Sequence, residues 1–444
     1  MTSPWEPIDR EATEYLQQLV RIDTSNPPGN EIAAVRFLEG LLRREGLQPV
    51  IIEPAPGRAN LVCRYGTGGT EGPLLLTSHV DVVPAESAGW THPPFGGVLA
   101  DGYLWGRGTC DMKSMTIMAL MTILRAKREG LVCRRDLIFA AVADEECETR
   151  YGSAYLVEHH PELIRAEYAL NEMGGFTLHV GSHRLYPIQV AEKGLLWLRV
   201  RLRGIGGHGS VPHDRMVADR MARVVRRLRR HGCGYGRTPV ATAFLQALSR
   251  AHTGLRKYLL QGLTVPLLGR ALLPLLRGPY RAHILAQLHN TVAPTVMASG
   301  TPTSINVIPT SGELYLDCRL LPGESRGDFL AALQRTLGND AEIDVLRYRT
   351  STEQPCDTPV FHVIAQGIRQ ADPGAQVAPM MLNGFTDAHF YRKLGIITYG
   401  FQPVQCPSDF SFPAMPHAVN ERIPIAGFHW GVKTFYDIVR RIAT

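Results

Sequence analysis

Residues 136–146 read DLIFAAVADEE, an apolar run of strand length that ends in three consecutive carboxylates, Asp144, Glu145 and Glu146. A second such run, PLLLTSHVDVV, occupies 73–83, and between the two lies MKSMTIMALMTILRAKREG (112–130), with the length and period of a helix. Apolar strand, helix, apolar strand predicts an α/β layer with a mostly parallel sheet. Carboxylates at the end of a buried strand cost free energy unless a cation or protons meet them. The stretch that decides the fold class therefore also asks for a positively charged occupant.

The same texture extends upstream. IDREATEYLQQLVRI (8–22) and NEIAAVRFLEGLLRREG (30–46) have helical periodicity, and QPVIIE and NLVCRY read as short strands. It changes near residue 190. LLWLRVRLRG (195–204) alternates as a half-exposed antiparallel strand does. An arginine-rich helix (215–232), the segment INVIPTSGELYLDCRLLPG, a helix near 325–337 and the strand AEIDVLRYR follow. From about 355 the α/β pattern resumes. The expectation is a catalytic α/β domain in two parts, 1–192 and 353–444, with an α+β domain inserted at 193–352. Within the insert, 254–285 is unusually apolar but broken by Arg270, Pro266 and Pro274, short of the roughly 18 uninterrupted apolar residues of a membrane span. Three fates suit it: packing on its own domain, a subunit interface, or the lining of a substrate channel.

Composition narrows the function classes. The net charge of +6, from 47 basic against 41 acidic residues in 444, is small, and no basic block interleaved with aromatics suggests nucleic acid. The 8 cysteines are scattered without C-x-x-C, which argues against a disulfide framework and a zinc ribbon. The N-terminal stretch lacks the basic and apolar regions of a signal peptide, so the expected location is the cytoplasm. A G-x-S-x-G nucleophile elbow is missing, which disfavours a serine hydrolase, and Gly106 and Gly108 do not open a G-x-G-x-x-G dinucleotide loop.

Several fragments could hold a metal. His79 and Asp81 lie two apart at a strand end and so share a face, which lets Asp81 support the His79 ring from behind. Asp111 follows a Gly-Arg-Gly turn, Glu172 ends another apparent strand, and His417 sits in a proline-flanked loop. If Glu145 and Glu146 are extended, their side chains point opposite ways and can do different work. Two histidines with several carboxylates suit zinc.

In order and spacing, SHVDVVP, GRGTCDMKS, ADEE, the acid of LNE, GGHGSVPH, NVIPTSGELYLDCRLLPG, GFTDAHF and MPHAVNERI resemble the dinuclear zinc amidohydrolases and peptidases that include aminoacylase, acetylornithine deacetylase, carnosinase and carboxypeptidase S. NTVAPT and YGFQP are most similar to the carboxypeptidase S-like branch. The resemblance implies an exopeptidase-like catalytic domain with an inserted lid or dimerisation domain. It also implies two zinc ions, replaceable by cobalt or manganese. Asp111 would bridge them, His79 and Glu172 completing one site, Glu146 and His417 the other. Glu145 would be the general base, Asp81 the partner of His79, and the Asp111–Met112 peptide cis. His208 would donate to the oxyanion, from its own chain or from a homodimer partner. Asn306, Arg319, Gly384 and Thr386 would bind the substrate carboxylate, although Arg319 could instead pair with Asp317. Asp387 and His389 are assigned no metal. The implied reaction is hydrolysis of an amide in an N-acyl amino acid or small peptide with a free carboxylate. A dizinc phosphoesterase and a non-catalytic binding protein on the same fold are the alternatives.

Overall fold

The computed structural model describes residues 5–66, 68–231, 233–276 and 281–444. Residues 277–280 of the apolar insertion lie outside them. The chain divides into two compact units. The first comprises residues 1–190, 354–380 and 386–444; the second comprises 191–353 with 381–385.

The first unit is built on a mixed sheet. Its strands run in the spatial order Val50–Ala55, Arg58–Tyr65, Arg135–Val142, Glu71–His79, Tyr168–Asn171, Ile397–Gly400 and His183–Glu192. The middle four are mutually parallel, and antiparallel strands flank them on both sides. Every residue of Arg135–Val142 is buried, as expected of a strand covered on both faces. On one face Leu75, Ile138 and Ala169 share a core with Leu156, Phe390 and Tyr391. The alternate residues Leu74, Leu76, Leu137 and Phe139 are equally buried. The helices Lys113–Glu129 and Ile425–Ala443 pack together and against these strands, and Glu6–Arg21 packs on both helices.

The second unit carries an antiparallel sheet in the order Cys233–Tyr235, His289–Ser299, Ser311–Leu320, Gly194–Arg203 and Glu342–Arg349. Here the alternation is clean. Leu196, Leu198, Val200 and Leu202 face the helices Val217–His231 and Arg326–Leu337, with Met221, Phe329 and Leu333 in the same core. The intervening Arg199 and Arg203 pair with Asp344 and Glu342 of the neighbouring strand. Among the described residues, no helix is long and apolar enough to cross a membrane.

Candidate metal centre

Three neighbouring parallel strands deliver most of the site at their carboxyl ends, where open α/β sheets bind ligands. His79 is the last residue of Glu71–His79. Glu145 and Glu146 follow Arg135–Val142, and Glu172 follows Tyr168–Asn171. Asp111 arrives on the loop before the helix Lys113–Glu129, and its peptide to Met112 is cis. His417 comes from a loop near the C-terminus, at φ 64°.

These side chains converge. Asp111 Oδ1 lies 3.1 Å from His79 Nε2, while Asp111 Oδ2 lies 3.4 Å from His417 Nε2. The two oxygens of one carboxylate thus face two different histidines. Glu146 Oε2 is 3.0 Å from His417 Nε2, and Glu172 Oε2 is 3.8 Å from His79 Nε2. Donor atoms of His79, Asp111 and Glu146 lie within 4.8 Å of one another, and so do those of His79, Glu145 and Glu172.

Asp81 supports this cluster in two ways. Its backbone carbonyl lies 2.9 Å from His79 Nδ1, closer than its carboxylate at 3.5 Å. The carboxylate instead accepts the backbone N–H groups of Glu145 and Glu146, each at 3.1 Å. That corrects the expectation that these glutamates diverge by strand alternation. The strand ends at Val142, Asp144 takes a left-handed φ of 63°, and Glu145 and Glu146 lie in a turn. They separate because Asp81 holds that turn by two consecutive amides.

The third acid of the opening stretch has another task. Asp144 accepts from Arg58 at 3.0 Å, from Asn26 at 2.9 Å, and from the amides of Arg150 and Tyr151. Arg58 also forks onto Glu31 with two bonds of 2.8 Å. Asn26 spans Asp144 and Asp81, donating to each at 2.9 Å. Two more residues that sequence reasoning passed over are Arg107 and Glu421. They pair at 2.6 Å, and Glu421 accepts the amides of Cys110 and Asp111. Both stood inside the quoted motifs, but a charge pair across 314 residues leaves no local signal.

The electrostatics call for cations. Among the described residues no Arg or Lys forms an ion pair with Asp111, Glu145, Glu146 or Glu172; the ion-pair partners of Asp111, Glu146 and Glu172 are histidines. Burial and the nearby Glu172 push the Glu145 carboxyl well above its ordinary range. Burial and Asp111 push Glu172 up to about 8. The Asp111 and Glu146 carboxylates push His417 up to about 10. Burial opposes a charged His79, yet Asp111, Asp81 and Glu172 raise it well above the usual histidine value. Protons hold together a donor set that a metal would hold by displacing them. Two imidazoles with four carboxylates fit divalent zinc or a similar ion.

The remaining expected residues behave differently. In the second unit, Gly207–His208 pairs with Val307–Ile308, and Gly209 N donates to Asn306 O at 2.6 Å, so His208 and Asn306 share one small ladder. Arg319 takes the alternative partner, forking onto Asp317 at 2.7 and 2.9 Å beside the Phe385 ring. Gly384 belongs to the second unit, whereas Thr386 is buried in the first, where its hydroxyl accepts the amide of Ala388. Asp387 accepts from Ser153, which in turn contacts Tyr391.

The comparisons with known proteins agree with this chemistry. The chain is 34% identical over 229 residues to aminoacylase-1 of Sus scrofa, a match covering 51% of this chain and about half, 55%, of that protein. It is 27% identical over 389 residues to the N-fatty-acyl-amino acid synthase/hydrolase PM20D1 of Bos taurus, covering 83% of this chain and 74% of that one. Fold, donor set and relatives define a metal-dependent hydrolase of carbon–nitrogen bonds. The pattern described as Peptidase family M20/M25/M40 matches residues 75–441, and the chain belongs to that family. In fold it is similar to the M20 family metallo-carboxypeptidase Sso-CP2 of Sulfolobus solfataricus, with a TM-score of 0.71 over 97% of this chain and 98% of that one, at 17% identity.

Proposed function

We propose that the chain hydrolyses the amide bond of an N-acyl amino acid or small peptide bearing a free carboxylate, with two zinc ions per chain. His79, Asp111 and Glu172 would hold one ion, and Asp111, Glu146 and His417 the other. The observation that carries this reading is the Asp111 carboxylate, whose two oxygens are turned to His79 and His417. Such ions supply Lewis acidity and make water a nucleophile near neutral pH.

The protein's own groups supply the rest. Glu145 is the general base: it takes the proton of the attacking water and passes one to the departing amine nitrogen. Its burial suits a carboxyl that must carry a proton during the cycle. Asp81 fixes the turn that carries Glu145 and Glu146 and orients His79. His208 of the second unit, from the same chain or from a homodimer partner, donates to the oxyanion. Asn306 and Arg319, with Gly384 and Thr386, hold the substrate carboxylate. Arg319 then exchanges Asp317 for the substrate, since a guanidinium fork fits either carboxylate.

The test is a set of N-acyl amino acids and dipeptides offered to zinc-loaded protein, with their carboxamides as controls. Release of free amino acid from the acids, abolished by chelation, is the expected result. Hydrolysis of phosphate esters without amide hydrolysis overturns the proposal.

A further inference from the structure

Residues 220–312 contain thirteen arginines and lysines and not one aspartate or glutamate. Within this acid-free stretch the helices Gly254–Gly262 and Pro266–Leu272 and the turn Leu273–Leu275 follow in succession. Leu260 and Leu263 face inward, and the space beside Gly262 is filled by Leu272 and Leu268, so the two helices pack closely. Their outward side is apolar as well. Leu255 is 84% exposed, Tyr258 67%, Leu268 49% and Leu275 59%.

Cations lie on the same segments. Arg256 and Arg270 are exposed on the same two helices, Lys257 is partly exposed, and Arg237 donates to Thr264 O at 2.9 Å at the turn between them. Large apolar residues left in water along one short segment point to an interaction surface. The charge decides what it meets. A second copy joined by a two-fold axis would set this surface against itself, cation to cation. A partner that is anionic outside and apolar beneath satisfies both features, and short helices with this pattern lie in a membrane interface rather than across it.

We propose that the surface built by residues 254–275 docks on an anionic lipid bilayer. Leu255, Tyr258, Leu268 and Leu275 enter the acyl boundary, and Arg237, Arg256, Lys257 and Arg270 meet lipid phosphates. The proposal does not depend on the reaction assigned to the metal centre.

Sedimentation of the full-length protein with phosphatidylcholine vesicles, with and without phosphatidylglycerol, tests it. The expected result is binding to the anionic vesicles alone, weakened by added salt. Leu255→Asp with Leu268→Asp should abolish it. Arg256→Gln with Arg270→Gln should lower the partition by about five-fold per cation removed. All four residues are exposed, and thermal melting of each variant checks that the fold is kept. Hydrolysis of a soluble N-acetyl amino acid should be unchanged. Four results overturn the proposal: no binding to anionic vesicles; equal binding to neutral ones; a dimer that the aspartate variant splits while wild-type protein ignores vesicles; or lost hydrolysis with vesicle binding intact, which assigns the surface to the substrate path. Loss of vesicle binding to competing inorganic pyrophosphate, with no effect of the leucine substitutions, would reduce it to a phosphate site and overturn it also.

Discussion

The Arg107 guanidinium and the Glu421 carboxylate meet at 2.6 Å inside the protein, and each reaches the other's loop. Glu421 accepts the amides of Cys110 and Asp111, while Arg107 donates to the carbonyls of His417 and Ala418. One buried ion pair therefore ties the loop of Asp111 to the loop of His417, the two side chains proposed to share a metal.

Breaking that pair should cost stability and metal together. Glu421→Ala leaves the Arg107 charge buried and unpaired, at a cost of about 3–5 kcal/mol. A double substitution to Met at both positions should recover much of the stability but not the metal content. Denaturant unfolding and elemental analysis of the same preparations read the two effects separately. Full metal content in the double variant would show that other contacts hold the loops.

Asn26 gives an order rather than a single value. Asn26→Ala removes a donor from two buried carboxylates, Asp81 and Asp144, at about 1–3 kcal/mol. Asn26→Asp puts a third carboxylate between them and should be the more destabilised of the two. Melting temperatures in the reverse order would place water or a cation where the amide now sits.

Glu145→Gln should keep both metals and lose about 10²–10⁴-fold in kcat, the usual share of a general base. Glu146→Gln should lose metal instead. Identical metal contents and identical rates in the two variants would dissolve the distinction between them and make Glu145 a ligand, since its carboxylate lies within ligand reach of His79 and Glu172.

Chelated protein should grow less stable as pH rises from about 4.5 towards 8. Burial first, then neighbouring acids, raises the folded pKa of Glu145, and Glu172 reaches about 8 from 4.5. Groups whose folded pKa is raised hold more protons folded than unfolded across that window, so unfolding becomes easier as pH climbs. Loading with zinc should remove the slope and raise the melting temperature, because the metals replace those protons. Titration of zinc into the chelated protein, followed by calorimetry, should saturate at about two ions per chain, as for a two-metal centre.

Arg319→Ala should weaken kcat/KM for substrates with a free carboxylate by about 1.5–3 kcal/mol, the worth of a charge-assisted hydrogen bond, and spare their carboxamides. Equal losses on both would leave Arg319 as the partner of Asp317 alone.

The α/β character of the first unit was legible in sequence because it rests on local period and composition. DLIFAAVA and PLLLTSHVDVV are apolar on both faces, which only a strand covered twice requires, and a helix lies between them. The half-exposed sheet of the second unit was legible in the alternation of LLWLRVRLRG for the same reason. The acids and histidines were legible as motifs at strand ends and loops.

Which partner each acid meets was decided by tertiary structure. Asp144 stands first of three carboxylates and turns to Arg58 and Asn26, while Asp81, over sixty residues earlier, curls the next two into a turn. His417 reaches Glu146 across 271 residues, and Glu421 reaches Arg107 across 314. Periodicity reports which face of its own element a residue occupies, and no more. The partner of a buried charge is chosen by whichever distant segment the fold brings within about 4 Å, where removing both groups from water makes pairing obligatory.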